Sequence, residues 1–219
     1  MLVEIISDII CPWCFIGKRR FERALAKLPQ EGLEIRWQPF QLNPTMPADG
    51  MERQSYMATK FGGADRAELQ NKRIHERGIE VDINFNFSII KRTPNTINSH
   101  RLIHYAHEFG LQNEIVEALF LGYFIQGRDL GAHDELIRVG ASCGLNEKLL
   151  TRYLYSDEGR SHILDSDQKV RLSNISGVPC YVIDNKYAVS GAQSPEVFHQ
   201  VFNLAFQESS QNDSKFSAE

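Results

Sequence analysis

The 219-residue chain has no long apolar run, no internal repeat, no low-complexity tract and only four cysteines. Without a stretch of about 18 apolar residues, no membrane-spanning helix is expected. With 42% hydrophobic and 24% charged residues, disorder is not indicated either. An excess of positive charge is missing as well. The net charge of −4 supplies no basic surface of the kind phosphate contacts need, so no nucleic-acid partner is expected. Met1 to Asp8 (Met-Leu-Val-Glu-Ile-Ile-Ser-Asp) shows no basic segment, no long apolar core and no small-residue cleavage pattern, which leads to an expectation of a cytoplasmic protein. In that compartment most thiols stay reduced, so four cysteines argue for chemistry over structural cross-links.

What is present begins at Cys11-Pro12-Trp13-Cys14, a Cys-x-x-Cys placed where the apolar run Leu2 to Ile6 gives way to a helix-like stretch. If Pro12 opens a helix, Cys11 stands at its N-cap and Cys14 one turn in, within reach of each other. Unpaired N–H groups and the partial positive charge at a helix start favour an anion, so Cys11 is expected to be the more exposed and more acidic thiol. Trp13 adds apolar surface beside the sulfur. The same spacing serves in zinc sites, but zinc needs two further ligands, and neither a second Cys-x-x-Cys nor a neighbouring His pair accompanies this one. No metal is therefore expected.

The rest of the chain divides into two kinds of pattern. Residues 2 to 7 predict a buried strand, residues 12 to 28 a helix with Phe21, Leu25 and Leu28 on one face, and Leu33 to Phe40 a second strand by its alternation. From about residue 49 to 173 the pattern is mainly helical, punctuated by glycines and Pro94. Leu102, Tyr105, Ala106 and Phe109 predict one apolar stripe there, and Ile115, Leu119 and Phe120 another. Residues 79 to 93 predict an extended loop. Pro179 to Ile183 and Lys186 to Ser190 then predict a hairpin turning at Asp184-Asn185, a last helix spans about 195 to 206, and the remainder is a polar tail.

Gly177-Val178-Pro179 stands immediately before the returning strand. Proline is tolerated at a strand start, and only an X-Pro bond has ready access to cis geometry, so cis and trans both remain open at this point.

Taken together, Val3 to Cys14, Trp37 to Pro44, Arg92 to Thr96 with Ser99 to Leu102, Gly127 to Asp129, Gly177 to Pro179 and Val189 to Gln193 resemble the DsbA family, more narrowly its cytosolic FrnE-like branch. The resemblance covers nearly the whole chain in order. It implies an α/β protein with a thioredoxin-like fold carrying an inserted all-helical subdomain. On that basis residues 1–45 and 157–208 would form a discontinuous thioredoxin-like domain, 46–156 the inserted helical domain, and 209–219 the tail.

Carried over by position, the resemblance makes Cys11 the attacking thiol, Cys14 the resolving thiol and Pro179 a cis-proline. Val178 before it would leave backbone groups free to pair with a bound peptide, and Pro12, Trp13, Val178 and Pro179 would bind substrate. Where the family commonly has a bulky aromatic after that proline, this chain has Cys180. Cys180 is read either as a third thiol near the pair or as a small buried hydrophobe, the second being favoured. Cys143 reads as structural.

Three further groups are candidates. Asp8, three residues before Cys11, could move the proton of Cys14, although aspartate also commonly caps a turn. His100, His104 and His107 share a helical face and read as a polar face more readily than as a metal site. The resemblance places His100 where it overlooks the dithiol. Lys18, Arg19 and Arg20 read as a solvated face.

The function expected is thiol–disulfide exchange with protein or small thiols through Cys11 and Cys14, without a cofactor, glutathione being a candidate co-substrate. Two alternatives stand beside it. One is a glutathione-dependent isomerase or transferase of the same fold, like the 2-hydroxychromene-2-carboxylate isomerases, which usually carry serine where Cys11 stands. The other is a peptide-binding chaperone that uses the surface around Trp13 and Val178. The sequence is compatible with a monomer or a homodimer.

Overall fold

Val3 and Ile5 project to one side of an extended segment and Glu4 and Ile6 to the other, as alternation requires. This segment is strand β1 (Leu2–Ser7) of the computed structural model, which describes residues 1–27 and 32–216, with side chains of the last helix described through Gln207. A short turn leads into α1 (Pro12–Leu25), whose N-cap is Cys11 and whose first residue is Pro12, where the missing N–H costs nothing. Leu28, expected on this helix, lies outside the described residues. Strand β2 (Glu34–Pro39) pairs parallel with β1, setting Ile5 beside Trp37.

The helical insertion follows. It holds a two-residue strand β3 (Met51–Glu52), α2 (Arg53–Phe61), α3 (Ala64–Ile79) and β4 (Arg92–Thr93), which pairs antiparallel with β3. Then come α4 (Ile97–His107), α5 (Gln112–Phe124), α6 (His133–Ser142), α7 (Glu147–Leu154) and α8 (Arg160–Leu172). The chain returns as β5 (Cys180–Ile183) and β6 (Tyr187–Ser190), joined by a three-residue loop in which Asp184 and Asn185 both take positive φ (49° and 54°) and the Lys186 N–H donates to the Ile183 carbonyl at 2.9 Å. The sheet order is β2-β1-β5-β6, with β5 antiparallel to β1 and Cys180 opposite Ile6. This is a thioredoxin-like α/β fold with a helical insertion.

One sheet face is packed by α1 and by the last helix, α9 (Pro195–Phe216). Phe21 stacks on Tyr181 at 5.1 Å, and Phe198 and Phe202 close around them. Gly17 permits the close approach of α1, because a Cβ there would stand 2.6 Å from the Tyr181 hydroxyl and 3.0 Å from Pro179 Cγ. Phe15 stacks on Phe120 at 5.0 Å and so joins α1 to the core of the insertion. On the other face a smaller cluster forms from Ile6, Phe40 and Cys180, with Val170 and Ile175 beside it.

Three expectations need correction. Phe109 leaves the predicted stripe: α4 ends at His107, Gly110 takes positive φ, and Phe109 is 51% exposed. The last helix does not stop near 206 but continues to Phe216, since nothing from Gln207 onward supplies a proline or glycine to break it. The basic run of α1 is not a solvated face. Lys18 is buried and holds Glu22 at 2.5 Å and Glu117 of α5 at 2.7 Å, while Arg19 also pairs with Glu117 and Arg20 reaches the Ala192 carbonyl.

Candidate active site

The dithiol lies where β1 hands over to α1. The Cys11 N–H donates to the Asp8 carbonyl at 3.0 Å, which fixes the turn, and the Cys11 carbonyl accepts from Cys14 N–H as the helix begins. Cys11 and Cys14 are both buried, 4% and 1% exposed, so the expected contrast in exposure is small. The contrast lies in what each faces. Cys11 lines a pocket of about 280 Å³ whereas Cys14 does not. Burial pushes the Cys14 thiol well above its ordinary value, the neighbouring Cys11 adds to the rise, and the Ser7 hydroxyl and the Asp8 backbone oppose it.

The Val178–Pro179 peptide is cis, and the Cys11 sulfhydryl lies 3.7 Å from the Val178 carbonyl oxygen. Pro12, half-exposed Trp13, Gly177 and Val178 line the pocket on the thiol side. Pro179 stays behind that wall, facing Gly17.

The opposite wall belongs to the insertion, and sequence reasoning did not anticipate it. Arg53, Tyr56, Met57 and Lys60 come from α2, Asn71 and Ile74 from α3, and Tyr123 from α5. Arg53 is buried and donates to the Tyr123 hydroxyl at 3.1 Å. Lys60 donates to Tyr56 at 2.7 Å, and Asn71 keeps its buried carbonyl oxygen without a partner. Among the described residues, no carboxylate lines the pocket. Only folding could have brought these residues to Cys11, since Arg53 and Tyr123 stand in separate helices far along the chain.

Other candidates divide. Asp8 is fully buried; its Oδ2 accepts from the Leu42 N–H at 2.8 Å and its Oδ1 lies 3.5 Å from His100 Nε2. His100 does not line the Cys11 pocket. It lines a smaller cavity together with Ser7 and His104. His104 stacks on His162 at 4.1 Å, and burial with the neighbouring His162 and His107 rings holds it below the ordinary imidazole range. Among the described residues, no group of three His, Cys, Asp or Glu side chains is placed to hold a metal ion. Cys180 belongs to the cluster on the far sheet face, and burial raises its thiol, with the Tyr181 backbone opposing. Cys143 is partly exposed and points to the Glu114 carbonyl at 3.7 Å. No helix among the described residues is long and apolar enough to cross a membrane.

The sequence matches a family described as DSBA-like thioredoxin domain over residues 2–203. It is 29% identical to a probable DsbA oxidoreductase from Streptomyces coelicolor, whose crystal structure superposes with a TM-score of 0.87 over 95% of this chain and 91% of that one. It is 22% identical to the uncharacterized protein YwbO of Bacillus subtilis over 92% of this chain and 95% of that one. The cytosolic disulfide reductase DsbM from Pseudomonas aeruginosa, solved with GSH, shares 15% identity and a TM-score of 0.64 over 94% of this chain and 100% of that one, a likeness of fold.

Proposed function

Because this chain belongs to the DSBA-like thioredoxin domain family, we propose that it is a protein-disulfide oxidoreductase of the cytoplasmic FrnE-like type. The observation that carries this reading is the division of the dithiol: Cys11 on the wall of the pocket, Cys14 one turn behind it and shielded. In the reducing direction Cys11 thiolate attacks one sulfur of a substrate disulfide, forming a mixed disulfide and releasing the other sulfur as a thiolate. Cys14 then loses its proton and attacks Cys11. The mixed disulfide breaks, the second substrate thiolate leaves, and the two cysteines end as a disulfide while the substrate is reduced. Running the same steps backward oxidises a dithiol.

The surface around Trp13 and Val178 supports a peptide lying across the site, with the backbone of Val178 available for strand-like pairing. The cations Arg53 and Lys60, in a pocket where no described residue supplies a carboxylate, support a thiol that carries its own carboxylate. Glutathione has that chemistry, and a structure of the similarly folded DsbM holds it. Glutathione is therefore the co-substrate we propose, with no other cofactor. Two sulfurs at the helix start favour exchange over the isomerase alternative, which needs no resolving thiol.

Insulin reduction by the full chain tests the reading. Cys11→Ser should abolish it and Cys14→Ser should accumulate mixed disulfides. Iodoacetamide at neutral pH should label Cys11 first. Retained reduction by Cys11→Ser would reject the exchange mechanism in favour of the isomerase or the chaperone.

A further inference from the structure

Arg53, the first residue of α2, is 8% exposed and lines the pocket that holds Cys11. Among the described residues its guanidinium meets no carboxylate and makes one hydrogen bond, to the Tyr123 hydroxyl at 3.1 Å. The rings of Phe87 and Tyr123 stand 5.6 and 5.8 Å from the guanidinium carbon, and the Arg53 N–H donates to the Lys91 carbonyl at 2.9 Å. These contacts hold the side chain in place but bring no negative charge. A buried charge without a counter-charge is expensive, so stability does not explain the residue. Its remaining N–H donors form a planar fork that suits a carboxylate.

On the same wall the Asn71 side-chain oxygen is buried and receives no donor. The wall therefore offers a receptor for an anion and an acceptor for an N–H. A C-terminal peptide residue carries both complements, a carboxylate and an amide N–H separated by a single carbon. The γ-glutamyl end of glutathione differs, because its carboxylate stands beside an ammonium, and no described residue of the pocket supplies a carboxylate to receive that charge. Lys60, the other cation of the pocket, is exposed and donates to Tyr56 at 2.7 Å, so solvent screens it.

We propose that Arg53 and Asn71 read the C-terminal end of the thiol substrate, so that the site selects peptides in which cysteine is followed by one terminal residue with a free carboxylate. The proposal rests on the exchange reading above and sharpens its substrate class. The substrate cysteine engages Cys11 on the thiol side, and the residue after it crosses to the insertion. There its carboxylate lies on the Arg53 fork and its N–H donates to the Asn71 oxygen. Glutathione is one member of this class through its glycine, and its γ-glutamyl residue is dispensable. Cysteine peptides that end in an amide are poor ligands, because they leave the buried guanidinium without a counter-charge.

Calorimetric titration of the reduced full chain with thioethers, which bind without exchanging, tests the site apart from the chemistry. S-methylglutathione should bind about tenfold or more tightly than its C-terminal amide. S-methylcysteinylglycine, which lacks the γ-glutamyl residue, should bind within about threefold of S-methylglutathione, and its analogue with an ester oxygen in place of the glycine N–H about fivefold or more weakly. Arg53→Met should bring the carboxylate-to-amide ratio close to one, and Asn71→Ala the amide-to-ester ratio. Equal binding of acid and amide, a ratio that survives Arg53→Met, a larger loss on removing the γ-glutamyl residue than on amidation, or no binding of S-methylglutathione would overturn the proposal. If Arg53→Met does not fold, the wild-type comparison of acid with amide decides. The expected affinities in a chain that does not reduce insulin would overturn the exchange reading and leave the carboxylate site standing.

Discussion

The two faces of the central sheet each bury a cysteine, and the environments differ more than the burial does. Cys14 sits on the face packed by α1 and Cys180 on the face of Ile6 and Phe40, and burial raises both thiols. Shielding alone therefore does not mark the chemical site. Beside Cys14 stand a second sulfur and the Ser7 hydroxyl, whereas Cys180 has Ile6, Phe40 and the partly buried Val170 and Ile175 around it. Packing differs too. The first face closes with stacked aromatic rings, while next to the second a groove of about 600 Å³ opens between the strands and α8, reaching Ile6 and Val182.

The contrast is broken most strongly at the thiols. Cys11→Ser should drop insulin reduction to the uncatalysed background, measured by turbidity, and any comparable loss in Cys180→Ala would erase the distinction between the faces. Next in size come two neighbours in β1 that point to opposite faces. Ile5→Ala should cost about 3–5 kcal/mol in urea unfolding and Ile6→Ala about 2–3 kcal/mol, because the groove lets the second site relax. Equal costs would mean that the groove does not soften its face.

Third is Glu117. Burial pushes its carboxyl up, but hydrogen bonds and charges from Arg19 and Lys18 outweigh this and hold it below the ordinary carboxylate range. A folded-state value below the unfolded one gives stability that is complete above about pH 4.3 and fades as pH falls through the folded value. Glu117→Gln should cost about 1–3 kcal/mol at pH 7 and flatten that acid limb. A variant whose acid limb matches the wild type would remove Glu117 from the account. The smallest effect belongs to Cys180→Ala, which should lose about 1 kcal/mol of stability and shift the redox equilibrium with glutathione by less than about 30 mV. A Cys11–Cys180 disulfide found by peptide mapping would overturn that expectation.

Much of the frame was legible because its signals are local. Pro12 after Cys11 marks the helix start, the alternation of residues 34–39 marks a strand, and Asp184-Asn185 marks a turn, each within a few residues. The break between the first βαβ and the final hairpin also showed in the change of period. What stayed hidden depends on contacts between distant segments. Lys18 reads as a surface lysine until α5 brings Glu117 to it. Arg53 carries no local mark of a pocket wall, and Ser7 reads only as a strand terminus. His100 aligned with His104 and His107 by helical arithmetic, yet the tertiary fold gave it Asp8, 92 positions earlier in the chain, as its partner.

The pocket at Cys11 has walls of separate ancestry in the chain: residues 10–13 and 177–178 hold the sulfur side, and helices of the insertion hold the other. The sulfur and the wall that faces it are thus written in different segments. Changes at Tyr56, Lys60 or Asn71 would reshape one wall of the pocket without moving the helix start that carries Cys11. The pocket can in this way be recut by drift in the helical layer while the segment that carries both cysteines stays as it is.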